Sequence, residues 1–376
     1  MTQRIVLAGG GHAHLAVLDG WARTDPKGYE RVLVTSSRFT GYSGMLPGWI
    51  AGHYRASDLL IDLAPLARRA GARLVIDEVI GLDAAARTLL LRGGEPVQYA
   101  MLSLAIGGEA DLSSLACLGE RVLAVRPVPR FMQAWSEFVE SSEFGRPPSL
   151  AIVGGGAAGV EIALAAEAAL RPRDPSITLV ADESDFLHDH APGVRGLARD
   201  ELNRRGIKIA PARAAGTDAG LVLSDGSALT VDRVIAATGT KAPRWLAHSG
   251  LACSPDGFVA VGPDLRSMSH PDVFAAGDIV ERTDRHLPRS GVHAVKAGPV
   301  LAANLHALVA GGSMQAYQPG PRTLYIMATG ERRAIASWGR FAVRGRLPWW
   351  IKQMIDRRFV ARHRPQPEAG ARRQNQ

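Results

Sequence analysis

Two glycine-rich segments contain the residue types and spacings best suited to chemistry. They read "RIVLAGGGHAHLAVLDG" at residues 4–20 and "SLAIVGGGAAGVEIALA" at residues 149–165. In each, an apolar run typical of a buried parallel strand leads into Gly-Gly-Gly and then into an apolar pattern of helical period. Such a unit binds the pyrophosphate of a dinucleotide, because the turn and the helix N-terminus present N–H groups and favour negative charge. Two copies predict two dinucleotide sites.

The glycines of the two segments have separate expected roles. Gly9 and Gly154 make the tight turn, and Gly11 and Gly156 let a pyrophosphate approach the backbone. In the second segment Gly159 completes G-x-G-x-x-G and lets the helix pack closely on the strand.

The first segment departs from this pattern, because His14 stands where the third glycine is expected. We expect the nucleotide site to persist, with a slightly displaced helix and with the His14 imidazole in reach of the pyrophosphate. A metal site built on His12 and His14 is the weaker interpretation, since no third ligand is indicated. The sequence therefore predicts no metal centre.

A third signal is "HPDVFAAGDIV" at residues 270–280, where a short apolar strand stops at Gly277 and Asp278. A helical pattern follows at residues 291–312. A carboxylate at such a strand end can accept hydrogen bonds from the ribityl hydroxyls of a flavin, and the next helix N-terminus can stabilise negative charge on a reduced flavin. The alternative is a turn aspartate that caps a helix.

Each nucleotide segment is followed by a second strand that ends in a glycine turn. These strands are "YAMLSLAIGG" at residues 99–108 and "VDRVIAATGT" at residues 231–240. The repeat predicts an α/β fold with two Rossmann-like dinucleotide-binding domains and a small C-terminal segment.

The order of these motifs resembles the pyridine nucleotide-disulfide oxidoreductase superfamily. The resemblance covers residues 1 to about 345 and implies FAD on the first domain and NAD(P)H on an inserted second domain. The implied divisions are the FAD-binding domain at 1–115 and 246–312, the NAD(P)H-binding domain at 116–245, an interface segment at 313–345, a basic amphipathic helix at 346–364 and a disordered tail at 365–376.

Three further segments resemble a narrower subgroup, related to type II NADH dehydrogenases and found fused or adjacent to selenophosphate synthase. They are "GGGHAHLAVL", "YSGMLPGWIAGHY" and "SGVHAVKAGPVLAANL". In that subgroup His-Ala-His occupies the first glycine turn, which supports its assignment as a nucleotide site.

Departures from the motifs of the superfamily narrow the range of reactions that we expect of this chain. Disulfide reductases carry CxxxxC against the flavin, whereas the matching "YSGMLPG" has no cysteine, which excludes disulfide reduction by that mechanism. Sulfide:quinone oxidoreductases use cysteines beside the flavin, but Cys117 and Cys253 are better interpreted as incidental thiols. Type II NADH dehydrogenases carry a glutamine-rich quinone motif, which "SGVHAVKAG" lacks, so quinone specificity stays open.

The nucleotide contacts that the resemblance implies also depart from the usual residues. The second strand of the FAD domain ends in "TSSR" instead of a carboxylate, so that Ser36 would bond the ribose and Arg38 would stack on adenine or meet phosphate. In the second domain Asp182 favours NADH over NADPH, although it stands one residue beyond the simplest register.

Two residues are candidates for the reaction itself. Glu161 matches the family's nicotinamide-side glutamate, with an exposed or capping helix carboxylate as the alternative. Lys296 could stabilise an anionic flavin or acceptor, and a solvated helix lysine is its alternative. The predicted FAD contacts are Gly9, Gly11, His12, His14, Ser36, Arg38, Met45, Val79, Gly107, Gly277, Asp278 and Val292, and the predicted NAD contacts are Gly154, Gly156, Ala158, Gly159, Asp182 and Gly239.

Composition limits the partners. The chain carries a net charge of +8, but residues 340–376 hold ten Lys and Arg against two acidic residues, so the rest of the chain is neutral. This distribution argues against nucleic acid. Apolar runs fall short of a membrane span, the two cysteines are far apart, and no signal peptide is evident, so we expect a cytoplasmic protein.

The basic tail contains "LPWWIKQMIDRRFV" at residues 347–360, which predicts an amphipathic helix on the inner face of the membrane. Trp349 and Trp350 suit a lipid interface. The alternative is that the stripe packs on the protein's own FAD domain or on a dimer partner. The predicted apolar stripe consists of residues 347, 350, 351, 354, 355 and 359, and the flanking cations are Arg344, Arg346, Arg358, Arg362 and Arg364.

These observations predict an FAD-dependent NAD(P)H oxidoreductase that passes electrons from NADH through flavin to a quinone-like or other small acceptor. Two alternatives stay open. One is a sulfur- or selenium-linked flavin oxidoreductase, and the other is a non-catalytic redox sensor that binds dinucleotides and acts by contacting a partner.

Overall fold

The computed structural model describes residues 3–141, 146–320 and 322–364. The predicted tail at 365–376 lies outside these ranges. The helices are α1 His12–Trp21, α2 Leu46–Ile50, α3 Ala56–Leu59, α4 Leu63–Arg69, α5 Val128–Glu140, α6 Ala157–Leu170, α7 Pro192–Arg204, α8 Gly291–Ala310 and α9 Arg346–Arg362.

The strands form both parallel and antiparallel sheets. They are β1 Gln3–Ala8, β2 Tyr29–Thr35, β3 Phe39–Gly41, β4 Leu60–Asp62, β5 Ala72–Ile76, β6 Val79–Asp83, β7 Thr88–Leu91, β8 Val97–Gln98, β9 Met101–Leu104, β10 Glu109–Ala110, β11 Val122–Ala124, β12 Ser149–Val153, β13 Ser176–Val180, β14 Lys208–Ala210, β15 Ala214–Thr217, β16 Gly220–Leu223, β17 Ala228–Leu229, β18 Arg233–Ala236, β19 Thr240–Lys241, β20 Val259–Val261, β21 Val273–Ala275, β22 Val280–Arg282, β23 Leu324–Ala328, β24 Ala334–Trp338 and β25 Phe341–Gly345.

The first unit is a parallel sheet in the order β21-β9-β1-β2-β5. Its strands are apolar on both faces because both faces are covered. Ile5 and Leu7 pack with the side of the sheet that carries α1, α4 and α8, and Val6 and Ala8 pack with the small antiparallel sheet β6-β7-β8. The long helix predicted after Asp278 is α8, which packs on α1.

The second unit repeats this arrangement. Its parallel sheet has the order β11-β18-β12-β13-β14. Leu150 and Ile152 pack in the same core as α5 and α6, whereas Ala151 and Val153 pack against the antiparallel sheet β15-β16-β17. The predicted fold class, α/β with two Rossmann-like units, is therefore confirmed.

The two units are interleaved along the chain. Strand β21 belongs to the first sheet but follows the whole second unit, so the chain leaves the first unit and returns to it. The outgoing segment β10 and the returning segment β19 pair antiparallel, and the Lys241 ammonium lies 2.8 Å from the Asp111 carboxylate. The domain boundaries placed at 115/116 and 245/246 remain predictions.

The C-terminal part consists of the antiparallel sheet β23-β24-β25 followed by α9. The sheet is tied to the second unit by the buried Arg205, which pairs with Glu167 on α6, with Glu201 on α7 and with Glu331 beside β23. Helix α9 continues to the first unit, where Arg362 lies 3.4 Å from the Asp19 carboxylate of α1. Among the described residues, no helix is both long and apolar enough to span a membrane.

Candidate functional site

The first glycine turn closes tightly on its own chain. Gly9 has a φ of +97°, and a Cβ on Gly11 would lie 2.3 Å from the backbone oxygen of Ala105, which follows β9. The Gly11 N–H donates to the same oxygen at 3.1 Å. Glycine is therefore required at residue 11 by the neighbouring strand as well as by any ligand, a constraint that sequence reasoning did not anticipate.

His14 does not point toward the ligand edge, and the prediction that it reaches the pyrophosphate is wrong. Its Nδ1–H donates to Gly9 O at 2.6 Å, and its Nε2 accepts from the Ser103 hydroxyl at 2.8 Å, with both side chains fully buried. Burial lowers the pKa of His14 to about 4, so the ring is neutral. The imidazole lies between α1 and β9, and it hydrogen-bonds to the glycine turn through Gly9 O.

The glycine turn of the second unit shows the arrangement that results when glycine stands at the position of His14. A Cβ on Gly159, the residue equivalent to His14, would lie 1.9 Å from Gly154 O, so that α6 sits directly on the turn. Gly154 has a φ of +128°. Gly156 and Ala158 are exposed at the start of α6, and no atom lies within 4 Å of a Cβ built on Gly156. This open helix N-terminus fits a pyrophosphate.

Two buried polar atoms beside α1 lack a hydrogen-bond partner among the described residues. They are Nε2 of His12, in the first turn of the helix, and Oδ1 of Asp278. The other carboxylate oxygen of Asp278 accepts from Arg126, a residue that no sequence signal marked. Unpaired buried polar atoms are costly, so their presence at the predicted FAD site fits a ligand that brings hydroxyl and phosphate groups. Asp278 does not cap α8, whose N-cap residue is Ser290.

Replacing Asp278 with alanine is expected to weaken FAD binding by about 1.5–3 kcal/mol, the usual range for a hydrogen bond to a charged group. The dissociation constant would be measured by titrating apoprotein with FAD. Glu30→Gln is the matched control, since Glu30 also pairs with an arginine, Arg4, but near the amino ends of β1 and β2. An unchanged FAD affinity in Asp278→Ala, or an equal loss in both variants, would reduce Asp278 to a structural residue.

The other predicted FAD contacts lie at or beyond the carboxyl ends of the parallel strands or on the segments that face this edge, where open α/β sheets bind ligands. Gly107 and Gly277 have φ values of +72° and +83° in the loops after β9 and β21. Met45 is buried ahead of α2, Val79 begins β6, and Val292 lies in the first turn of α8.

At the adenosine end, Arg38 is paired with a neighbouring carboxylate. Its guanidinium forms a bidentate pair with Asp62, with Nε–Oδ1 at 2.9 Å and Nη2–Oδ2 at 2.7 Å. Asp62 is also the N-cap residue of α4, and Arg38 holds the pKa of this carboxyl below its usual value. The pair uses Nε and Nη2, so a contact of the remaining guanidinium group with adenine or phosphate stays a prediction. Ser36 is exposed just after β2, and its bond to a ribose stays a prediction.

Glu161 lies on α6 in a desolvated position, not on an exposed helix surface. Its Oε1 accepts from the backbone N–H of Ala328 at 2.6 Å. Burial raises the pKa of Glu161 to about 7, although Lys352 and the Ala328 hydrogen bond oppose the rise. The carboxyl can therefore hold or release a proton near neutral pH.

The cation that faces Glu161 is Lys352 from α9. Its ammonium lies 3.2 Å from Asp356 Oδ2, one helical turn further along. The two carboxyls raise the pKa of Lys352 against its desolvation, so the ammonium stays charged. Burial raises the pKa of Asp356, which also interacts with the hydroxyl of Tyr42 ahead of α2. Glu161, Lys352, Asp356 and Tyr42 are called the buried proton cluster below.

Lys296, the lysine that sequence reasoning selected, is exposed on α8 and corresponds to the solvated alternative. Lys352 was missed because it lies within the segment interpreted as a membrane helix. The available signal was its i, i+4 spacing to Asp356, which puts both charges on the face opposite the apolar stripe.

Helix α9 points its apolar stripe outward. Leu347, Trp350 and Met354 are 70%, 55% and 64% exposed. Two residues predicted to meet lipid pack on the protein instead. Trp349 is only 6% exposed, and Phe359 stacks on Tyr42 with ring centroids 4.5 Å apart. The adjoining sheet adds further exposed apolar side chains. These exposed residues of the sheet are Leu324, Trp338, Phe341 and Val343, and Ile355 of the α9 stripe is exposed as well.

The flanking arginines divide into two groups. Arg344, Arg362 and Arg364 pair with the carboxylates of Glu201, Asp19 and Asp58. These three are committed to folding contacts. Arg346 and Arg358 are exposed beside the apolar stripe.

The thiols and histidines add no redox pair or metal cluster within the described ranges. Cys117 is exposed, and Cys253 donates its S–H to Leu246 O at 3.6 Å on the far side of the first sheet. The same residues contain no group of three or more His, Cys, Asp or Glu arranged to hold a metal ion.

Comparison with known proteins adds one family, one relative and two solved structures. A family model described as pyridine nucleotide-disulphide oxidoreductase matches residues 3–298. Ferroptosis suppressor protein 1 from Homo sapiens is 27% identical over 286 residues, which is 72% of each chain.

Among solved structures, the sulfide:quinone oxidoreductase from Aquifex aeolicus superposes with a TM-score of 0.79 at 15% identity, covering 97% of this chain and 93% of that one. The water-forming NADH oxidase from Lactobacillus brevis superposes with a TM-score of 0.72 at 16% identity, covering 90% and 75%. At these identities the structural likeness establishes a common fold.

Proposed function

The chain belongs to the pyridine nucleotide-disulphide oxidoreductase family and is an FAD-dependent NAD(P)H oxidoreductase, and we propose that its electron acceptor is a quinone-like small molecule. FAD, when bound, supplies the two-electron transfer between the nicotinamide and the acceptor. The turn at Gly9 and Gly11, with Asp278, would hold FAD, and the turn at Gly154 and Gly156 would hold NAD(P)H.

The observation that carries this proposal is the buried proton cluster. Reduction of a quinone by NAD(P)H consumes one proton from solvent for each pair of electrons, and a positioned acid accelerates its delivery. Glu161 suits this role, because burial places its pKa at about 7 and its Oε2 is not used by the Ala328 hydrogen bond. Lys352 can stabilise negative charge on an acceptor oxygen while the proton arrives.

The position of the cluster supports the same role. Glu161 comes from the second unit, Tyr42 from the first, and Lys352 and Asp356 from the C-terminal helix. Near Tyr42 lie the rings of His12 and Phe359, with centroids 5.4 Å and 4.5 Å from its own. An aromatic acceptor is compatible with such surroundings. The missing cysteine in "YSGMLPG" and the remote Cys253 speak against sulfur chemistry.

The experiment that tests this proposal is a visible spectrum of the purified protein, followed by NADH addition without oxygen and then by a short-chain quinone. The expected result is a yellow protein that bleaches with NADH and regains its colour with quinone. A protein that bleaches but is reoxidised only by other acceptors would contradict the quinone assignment. A colourless protein that FAD does not restore would contradict the flavin assignment itself.

The narrower subgroup, with its association to selenophosphate synthase, rests on the three motifs quoted above and remains a prediction. We also propose that the protein is cytoplasmic. We propose further that it makes peripheral contact with the inner face of the membrane. A lipid-soluble acceptor and the outward apolar stripe of α9 support this contact.

We expect Trp350→Ser combined with Met354→Ser to reduce binding to anionic liposomes by about tenfold or more, since each buried apolar side chain contributes on the order of 1.5–3 kcal/mol. Flotation would measure it. These substitutions leave Lys352 and Asp356 in place, which deletion of α9 would not. Met268→Ser is the control, since Met268 is equally exposed on another surface.

Two results would contradict the lipid assignment. One is a wild-type protein that never floats, and the other is a double variant that floats as well as the wild type. If the double variant instead converts a dimer into a monomer in sedimentation experiments without lipid, the stripe is a dimer interface.

A further inference from the structure

The residues beyond β13 decide which nicotinamide nucleotide the second unit accepts. Strand β13 ends at Val180, whose carbonyl accepts from the Gly154 N–H at 2.9 Å, so the segment that follows borders the same turn as the pyrophosphate. In this type of unit an acidic residue at the strand end selects NADH by bonding the ribose 2′-hydroxyl. Here the first residue after the strand is Ala181, which is buried.

Asp182, the next residue, already uses both carboxylate oxygens. Its Oδ1 accepts from the Ser184 N–H at 3.1 Å and from the Ser184 hydroxyl at 2.9 Å. Its Oδ2 accepts from Nε of Arg213 at 3.2 Å. The carboxylate is therefore less available to a ribose, and its charge, which would repel a 2′-phosphate, is partly compensated.

Arg213 comes from the neighbouring strand. It lies just after β14, whose Ala210 pairs with Val180, and its backbone N–H donates to the Ser224 hydroxyl at 3.1 Å. The side chain is 77% exposed, and among the described residues its guanidinium bonds only to Asp182, through Nε. Its Nη1 and Nη2 groups thus remain free to bind a phosphate.

The neighbouring acidic residue Glu183 does not neutralise the charge of Arg213. Glu183, the nearest other acid in the chain, is paired with Arg199 of α7, whose guanidinium lies over the ring of Phe186. The segment after β13 presents three acids, Asp182, Glu183 and Asp185, of which the first two are each paired with an arginine. The acid nearest the strand end, Asp182, therefore carries a partly compensated charge.

We propose that Arg213 supplies a 2′-phosphate contact, so that the second unit binds NADPH as well as NADH. The inference rests on the proposed role of this unit as the NAD(P)H site. It revises the expectation that Asp182 would select NADH. Two properties carry it: the prior commitment of the Asp182 oxygens, and the free N–H groups of an arginine fixed at the end of the adjacent strand.

The test compares 2′,5′-ADP with 5′-AMP, two fragments that differ in the 2′-phosphate, by titration calorimetry on the FAD-loaded protein. We expect the wild type to bind 2′,5′-ADP at least as tightly as 5′-AMP. Arg213→Gln should weaken 2′,5′-ADP binding by roughly fivefold or more and change 5′-AMP binding by less than about twofold, because an exposed charge pair contributes on the order of 1 kcal/mol. The ratio of kcat/KM for NADPH and NADH should fall in parallel.

Arg146→Gln is the matched control. Arg146 is an exposed arginine that also pairs with an aspartate, Asp232, but at the amino end of β12, the edge opposite the nucleotide turn. Asp182→Asn should strengthen 2′,5′-ADP binding, because it removes the remaining negative charge.

Two results would overturn the inference. One is a wild type that binds 5′-AMP far more tightly than 2′,5′-ADP, and the other is an Arg213→Gln variant that loses both ligands equally. Failure of the underlying function is distinguishable, because neither fragment would then bind and NADH would not bleach the flavin.

Discussion

A Gly11→Val variant is expected to purify without FAD, whereas Gly156→Val is expected to remain yellow and to react slowly with NADH. At residue 11 even a Cβ would collide with Ala105 O at 2.3 Å, so valine must push α1 away from β9 and open the turn. At residue 156 the space around a Cβ is empty, so valine leaves the protein packing intact and blocks only the approach of a pyrophosphate.

The measurement is the ratio of flavin to protein absorbance after gel filtration, together with the KM for NADH. The second unit provides an internal check on folding, since Gly11→Val should still bind 5′-AMP if only the first site is damaged. Equal flavin loss in both variants would show that the two turns do not hold different nucleotides.

A Lys352→Met variant should lose about 10²-fold in kcat, the lower range for loss of a positioned proton-transfer system. Glu161, whose pKa lies at about 7, must be protonated to deliver a proton, so the wild-type rate should fall as pH rises through about 7. The Lys352 ammonium favours the Glu161 carboxylate and therefore lowers its pKa. Without that ammonium the pKa rises, and the descending limb of the pH profile should move to higher pH.

Lys296→Met is the informative comparison, because Lys296 is exposed on α8 and we expect little change in kcat from its loss. The two lysine variants together decide which cation serves the reaction. A larger loss in Lys296→Met, or a pH limb that stays in place in Lys352→Met, would contradict the role given to the buried proton cluster.

The sequence by itself determined the two nucleotide units, their order and the family. Each unit is specified by neighbours in the chain: an apolar run typical of a doubly covered strand, a turn that demands glycine at Gly9 or Gly154, and a helix that starts directly after it. Because these signals are local, they survive without knowledge of what packs against them. The same holds for α8 and for the existence of α9.

Only the tertiary structure decided which way individual side chains point. His14 bonds Ser103, which is 89 residues away, and Asp278 pairs with Arg126 at a separation of 152 residues. Asp182 is engaged by an arginine from the next strand. No local pattern encodes these pairs, since each depends on two elements that the sheet order brings together.

Helix α9 shows most clearly what helical spacing in a sequence cannot determine. Helical spacing established that Leu347, Trp350 and Met354 share one face and that Lys352 and Asp356 lie off it. Spacing alone cannot say which face meets the protein, because the usual inward direction of apolar side chains assumes a partner surface without charge. Here the partner surface presents Glu161 and Tyr42, so the paired charges of α9 turn inward, where they satisfy one another, and the apolar stripe is left outside.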